Sequence, residues 1–128
     1  MKATALYRDA MNRRGDRRKP IYITEITWPA SKGKTEPIEF QRQETPHGMA
    51  LKLGQMYSKM VGRRRALGVG KVFWYTWSSP YRGDSNFHYT GLLRFDGNVF
   101  KAQPALAVYQ RSARRFEGCT KTAAGVCE

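Results

Sequence analysis

Glu25 is the residue in this 128-residue chain whose surroundings most suggest chemistry. It lies near the end of segment 20–29 (PIYITEITWP), whose β-branched and aromatic residues predict a strand with apolar residues on both faces. Burying a carboxylate in such a strand lowers the stability of the fold unless the carboxylate is paired, so an unpaired one indicates a functional role. Active sites of α/β barrels collect polar residues at the carboxyl ends of strands. Position alone therefore leaves two interpretations open, a functional carboxylate or a salt bridge to one of the many arginines.

Aromatic residues accompany Glu25 at the predicted strand ends. Trp28 follows the first strand, Trp77 ends a second predicted strand, and Tyr81 lies in the loop after it. The flat face of an aromatic ring packs against the C–H groups of a sugar, and polar neighbours bind its hydroxyls, so these three residues are candidate carbohydrate-binding side chains. The alternative is that they are core aromatics, and that interpretation is preferred for Trp74, on the opposite face of its strand from Trp77.

Other site chemistries find little support in the sequence. His47 and His88 have no Cys, His or carboxylate at ligand spacing, so no metal site and no cofactor are expected. Cys119 and Cys127 are eight residues apart in a tail of small residues, 118–128, which is expected to be flexible. A local disulfide between them and a disordered tail without one both remain open.

The predicted elements alternate between helix and strand. Apolar spacing predicts a helix over 3–14, a strand over 20–28, a helix from Thr45 and Pro46 to Leu67, and a strand over 72–77. A small hairpin around an Asp-Gly turn (89–100) and a final helix from Pro104 to Gly118 complete the chain. This order predicts an α/β fold with parallel strands joined by a crossover helix.

The number of strands is too small for such a fold to be complete. A sheet with apolar residues on both faces normally has three or more strands and helices on both sides, whereas this sequence supplies two core strands and three helices. The sequence therefore predicts a part of a larger α/β domain, or a chain that another chain completes. Its oligomeric state stays undetermined.

The charge of the chain suggests a second class of function. Lys and Arg number 23 against 10 Asp and Glu, a net charge of +13, with clusters at 13–19, 63–65 and 111–115. These clusters fall at predicted helix carboxyl ends, where cations stabilise the helix dipole, and no zinc finger, basic zipper or RNA-binding motif is present. Nucleic acid is therefore not the expected partner, and a small basic module that binds nucleic acid or another polyanion is the alternative function.

The sequence also bears on membranes and targeting. No run approaches the roughly 18 apolar residues of a membrane span, and the first residues become charged before a signal core forms. Neither a membrane association nor a signal peptide is expected. The localisation is unassigned, and a secreted or cell-surface parent protein is left open.

Segment 20–29 resembles the seventh-strand motif of retaining (β/α)8-barrel glycoside hydrolases of the cellulase and β-xylosidase superfamily, in which a Thr-Glu-x-Gly-Trp stretch carries the nucleophile. Segment 72–78 (VFWYTWS) is similar to their eighth strand, 89–93 (YTGLL) to the following Gly-Leu segment, and 103–109 (QPALAVY) to their closing helix. The likeness covers most of residues 3–117 in order. Thr27 stands where the family usually has Gly, and Gln103 where it often has Lys.

The resemblance implies a partial TIM barrel in residues 1–117, followed by the tail 118–128, acting on carbohydrate. Glu25 would be the nucleophile, and Trp77 would form a wall of the sugar site. The family's general acid follows an Asn in an Asn-Glu pair, and no such pair occurs here. The resemblance therefore predicts a C-terminal glycosidase fragment without its acid, with little or no hydrolase activity as an isolated chain.

Overall fold

The computed structural model describes residues 2–37 and 42–116, together with two short strands at 122–123 and 126–127. The described chain is a mixed α/β structure with small sheets, and in it no closed barrel is formed. Its helices are α1 (Lys2–Arg13), α2 (Pro46–Leu67) and α3 (Pro104–Phe116). Their bounds agree with the predicted helices to within two residues. Cys119 lies outside the described residues, so its pairing stays a prediction.

The two principal strands, β1 (Ile21–Ile26) and β2 (Val69–Trp74), are parallel, and α2 connects them. This confirms the predicted strand–helix–strand unit. Ile26 pairs with Trp74, so the second strand ends three residues before the predicted Trp77. Two residues of β1 lie between Ile23 and Ile26, whereas one residue of β2 lies between their partners Val72 and Trp74, so β1 bulges at Thr24 and Glu25.

Local signals define both ends of α2. The Thr45 hydroxyl accepts a hydrogen bond from the Gly48 N–H at 3.0 Å, and Pro46 occupies the first turn, where its missing N–H costs nothing. Gly68 ends the helix in the left-handed conformation, with φ of 63°, and its N–H donates to the carbonyls of Arg64 and Arg65. These caps are those that the sequence predicts.

The shorter strands form a separate three-stranded sheet. The predicted hairpin is present as β4 (Leu93–Phe95) and β5 (Phe100–Ala102), and β3 (Ser78–Ser79), which the sequence pattern did not indicate, pairs parallel to β4. The predicted strand from Tyr89 is wrong at its start, because 86–89 form a 3₁₀ helix. Gly91 lies so close to the backbone of β3 that a Cβ there would be 2.5 Å from the Ser79 nitrogen.

The core lies between the helices and one face of the β1–β2 pair. Met49 and Leu53 of α2 pack with Leu92 and Ala105, all at most 1% exposed. The expectation that β1 and β2 are buried on both faces is not met within this chain, since Tyr22 is 56% exposed and no described element covers it. In the described part, none of the helices combines the length and apolar character that crossing a membrane requires.

The shorter strands β6 (Thr122–Ala123) and β7 (Val126–Cys127) pair antiparallel with each other. They fall within the tail that was expected to be flexible. The residues between and around them lie outside the described chain, so the expectation for the whole tail stays a prediction.

Candidate active site at the carboxyl ends of the strands

The candidate site lies where β1 and β2 end and two long loops begin. The Tyr75 N–H donates to the Ile26 carbonyl at 3.0 Å, which holds the two strand ends together. The peptide bond between Tyr75 and Thr76 is cis. Beyond the strands, the Ala30 N–H donates to the Tyr89 carbonyl at 2.8 Å and joins the two loops. The residues predicted to act together are thus carried by neighbouring elements at one end of the sheet.

Glu25 lies on the bulge of β1, and both it and Thr24 are exposed. The expectation of a buried carboxylate is therefore wrong for this chain, because the bulge and the uncovered sheet face leave Glu25 in contact with solvent. The salt-bridge interpretation is not met either: the ion pairs among the described residues join Asp16 to Lys19 and Asp96 to Arg94 and Lys101. In the described chain, no hydrogen bond or ion pair engages the Glu25 carboxylate.

Trp77 is 58% exposed, although it is anchored at its base. Its carbonyl accepts a hydrogen bond from the Leu93 N–H at 2.9 Å, and its ring lies nearly perpendicular to that of Tyr109 in α3, with 6.5 Å between centroids. An indole held in this way presents apolar surface to solvent without needing to move. This is the geometry expected of a stacking platform for a ring-shaped ligand.

Trp74 and Trp28 are more buried than Trp77. The Trp74 indole N–H donates to the Thr90 carbonyl at 3.1 Å, and its ring packs against the buried core, which confirms the core interpretation of that residue. Trp28 is half-buried, and its ring centroid lies 6.3 Å from that of Trp74. Trp28 therefore borders the site, and its contact with a sugar stays a prediction.

Tyr81 lies beneath the loop surface rather than on it. It is 8% exposed, its hydroxyl donates to the Gly91 carbonyl at 2.7 Å, and its ring meets the edge of Tyr89 at 5.7 Å. Burial raises the pKa of the Tyr81 phenol above its ordinary value, because the charged phenolate would lose its hydration. These contacts support the loop from below, and a direct role in binding sugar stays a prediction.

Asn86 organises the two loops, and the sequence pattern did not single it out. It is 4% exposed, and its Oδ1 accepts hydrogen bonds from the hydroxyls of Ser31 and Thr35 and, at 3.3 Å, from the Gln43 Nε2. The three donors lie in the loop after β1, whereas Asn86 begins the 3₁₀ helix between β3 and β4. No local signal could have revealed it, because 43 to 55 residues separate the partners along the chain.

Within the described ranges, no group of three or more His, Cys, Asp or Glu side chains is placed to hold a metal ion. Of the candidate residues at this end of the sheet, Glu25 offers an unpaired carboxylate and Trp77 offers an exposed ring face. An unpaired carboxylate can act as a nucleophile or a base, and an exposed indole can pack against a ligand.

Comparisons of the chain with protein-family models, with curated proteins and with solved structures found no match.

Proposed function

We propose that this chain is the C-terminal part of a retaining (β/α)8-barrel glycoside hydrolase and that Glu25 is its nucleophile. The proposal depends most on one observation: Glu25 is exposed and unpaired on a strand bulge at the carboxyl end of a parallel strand–helix–strand unit. Bulges occur next to active sites, where they redirect a side chain. A carboxylate needed only for stability would be expected to have a partner.

The open sheet supports a larger barrel. A cavity of about 790 Å³ runs beside β2, between the strand and the inner faces of α2 and α3, and is lined by Met60, Val72, Phe73 and Tyr109 among others. Phe73 is 50% exposed there. The outer edge of β2 pairs with no described strand, since the sheet consists of β1 and β2, and this edge is where a further strand of a barrel would add. In this proposal, residues 1–117 cover the sixth helix to the eighth.

The proposed reaction follows from one carboxylate and one platform. The Glu25 carboxylate attacks the anomeric carbon, the bond from that carbon to the leaving oxygen breaks, and a glycosyl ester forms that water then hydrolyses. A second carboxyl group roughly 5 to 5.5 Å away would protonate the leaving oxygen and later activate the water. Trp77 would pack against the sugar ring. The upstream part of a longer protein would supply the second carboxyl, since no Asn-Glu pair occurs in this sequence.

A substrate whose leaving group needs no protonation by a general acid can test whether Glu25 acts as a nucleophile in this chain. Loss of general acid catalysis costs about 10²- to 10⁴-fold with ordinary glycosides, but dinitrophenolate leaves without protonation. The chain is incubated in turn with 2,4-dinitrophenyl 2-deoxy-2-fluoroglycosides of the gluco, xylo, galacto and manno series. We expect one of these reagents to form a stable glycosyl ester with the protein. Intact-mass spectrometry detects the adduct, and peptide mapping places it on Glu25.

Two variants make this labelling specific. Glu25→Gln removes the nucleophile and is expected to abolish the adduct, whereas Glu36→Gln removes an exposed carboxylate from the following loop and is expected to leave it unchanged. Labelling that survives Glu25→Gln, or the lack of any adduct with all four sugars, contradicts the proposal. In the full-length parent, Glu25→Gln should lower turnover by several orders of magnitude.

A further inference from the structure

The structure brings three arginine pairs together that are far apart in the sequence. One depression, at the start of β1 and β2, is lined by Arg17, Arg18, Arg64 and Arg65. A second shares Arg64 and Arg65 with the first and is also lined by Arg115. A third shares Arg115 and continues along α3. We define the arginine surface by the three pairs that line these depressions: Arg17 and Arg18, Arg64 and Arg65, Arg114 and Arg115.

All six guanidinium groups are exposed, and no Asp or Glu is among the residues that line the three depressions. The nearby Asp16 forms its ion pair with Lys19, at 2.8 Å. Like charges on one face repel each other and lower the stability of the fold. The arginine surface is therefore a strongly positive region that the described chain does not neutralise.

Helix dipoles explain only part of this arrangement. Arg64, Arg65, Arg114 and Arg115 lie in the last turns of α2 and α3, where cations are stabilised. Arg17 and Arg18 follow α1 in the connection to β1, outside any helix. The preference of cations for helix carboxyl ends also does not explain why three arginine pairs line depressions that adjoin one another.

We propose that the arginine surface binds the phosphodiester backbone of nucleic acid without reading its sequence. A set of guanidinium groups along adjoining depressions suits a polyanion, since each group can donate two hydrogen bonds to one phosphate and duplex DNA carries one charge per about 1.7 Å of axis. The surface adjoins Pro20 at the start of β1, five residues before Glu25, or about 16 Å of extended strand. It is thus distinct from the candidate active site and does not depend on the proposed function.

Binding of a fluorescein-labelled 20-base-pair duplex, followed by anisotropy from 50 to 200 mM NaCl, tests this site. Six phosphate contacts predict a slope of about −5 in the plot of log K against log salt. The triple variant Arg18→Gln, Arg64→Gln, Arg65→Gln should weaken binding at least about 10-fold and reduce that slope by about 2 to 3. Circular dichroism verifies that the variant is folded.

A matched triple variant separates location from net charge. Lys32→Gln, Arg42→Gln and Arg82→Gln also remove three exposed cations, from loops outside the arginine surface, and should change affinity less than about 3-fold. Equal weakening by the two triples would overturn the proposal, because net charge alone would then explain binding. The absence of binding at 50 mM NaCl, or tighter binding of polygalacturonate than of DNA, would overturn it as well.

Discussion

The two ends of the β1–β2 pair differ in whether a charged side chain is buried or exposed. At the amino end, Arg8 is 6% exposed, and its guanidinium donates to main-chain carbonyls of Leu67 at 2.9 Å, Lys19 at 2.7 Å and Arg17 at 3.2 Å. At the carboxyl end, Glu25 is exposed, and among the described residues it has no polar partner. The Arg8 charge is buried and hydrogen-bonded to protein carbonyls, whereas the Glu25 charge is exposed to solvent and has no protein partner among the described residues.

This contrast distinguishes a charge that stabilises the fold from one that is free to act. Arg8 lies against the carboxyl end of α2, where unpaired carbonyls and the helix dipole favour a cation. Gly68 makes room for it, since a Cβ at that position would collide with the guanidinium. Glu25 makes no comparable contact, so its removal should affect stability little and chemistry strongly.

Arg8→Met should produce the largest loss of stability. The substitution removes the donors of one buried and several partly buried main-chain carbonyls, and we expect the free energy of unfolding to fall by about 4 kcal/mol. Arg13→Met on the same helix removes an exposed arginine and should cost less than about 1 kcal/mol. Urea denaturation compares them. Similar losses of unfolding free energy in the two variants would contradict this prediction, because the hydrogen bonds of Arg8 would then add nothing to the effect of removing one positive charge from the helix.

Two tryptophans at the carboxyl end differ in the same way, since Trp74 packs against the core and Trp77 is exposed. Trp74→Ala removes a ring from the core and a hydrogen bond to Thr90, and should lower the free energy of unfolding by about 3 kcal/mol. Trp77→Ala truncates an exposed ring and should cost less than about 1 kcal/mol, but should slow glycosyl labelling of Glu25 about 10-fold. Unchanged labelling in folded Trp77→Ala would argue against the sugar platform.

Tyr81 gives the smallest effect, which depends on pH. Its raised pKa means that the folded chain keeps the phenol proton above pH 10, where the unfolded chain loses it, so stability is fully present below about pH 10 and falls as pH rises further. Tyr81→Phe should cost about 1 kcal/mol at pH 7, from the lost bond to Gly91, and should flatten the alkaline decline.

The control for this pH profile is Tyr7→Phe, at a side chain that is 67% exposed. Removing that phenol should leave both the stability at pH 7 and the alkaline slope at the values of the unmodified chain. Urea unfolding from pH 7 to 11 measures both. An alkaline decline as steep in Tyr81→Phe as in the unmodified chain would assign it to other groups.

Local sequence signals account for the helices, for β1 and for the hairpin, but not for β3 or the 3₁₀ helix. Thr45, Pro46 and Gly68 define α2, the β-branched run before Trp28 defines β1, and the Asp-Gly turn defines the hairpin, because each acts over a few residues. The sequence also placed Glu25 and Trp77 at one end of the sheet, since parallel strands align their carboxyl ends. It placed β2 too far along the chain, because aromatic residues continue past the last pair of the ladder.

Tertiary structure alone decided which of these side chains are open to solvent. The exposure of Glu25 follows from a bulge and an uncovered sheet face, the burial of Arg8 from carbonyls up to 60 residues away, and the loop network from Asn86. The arginine surface likewise exists only after folding, because its three pairs belong to different elements. A residue's type and spacing determine what it can do, whereas contacts between distant segments determine whether it is free to do it.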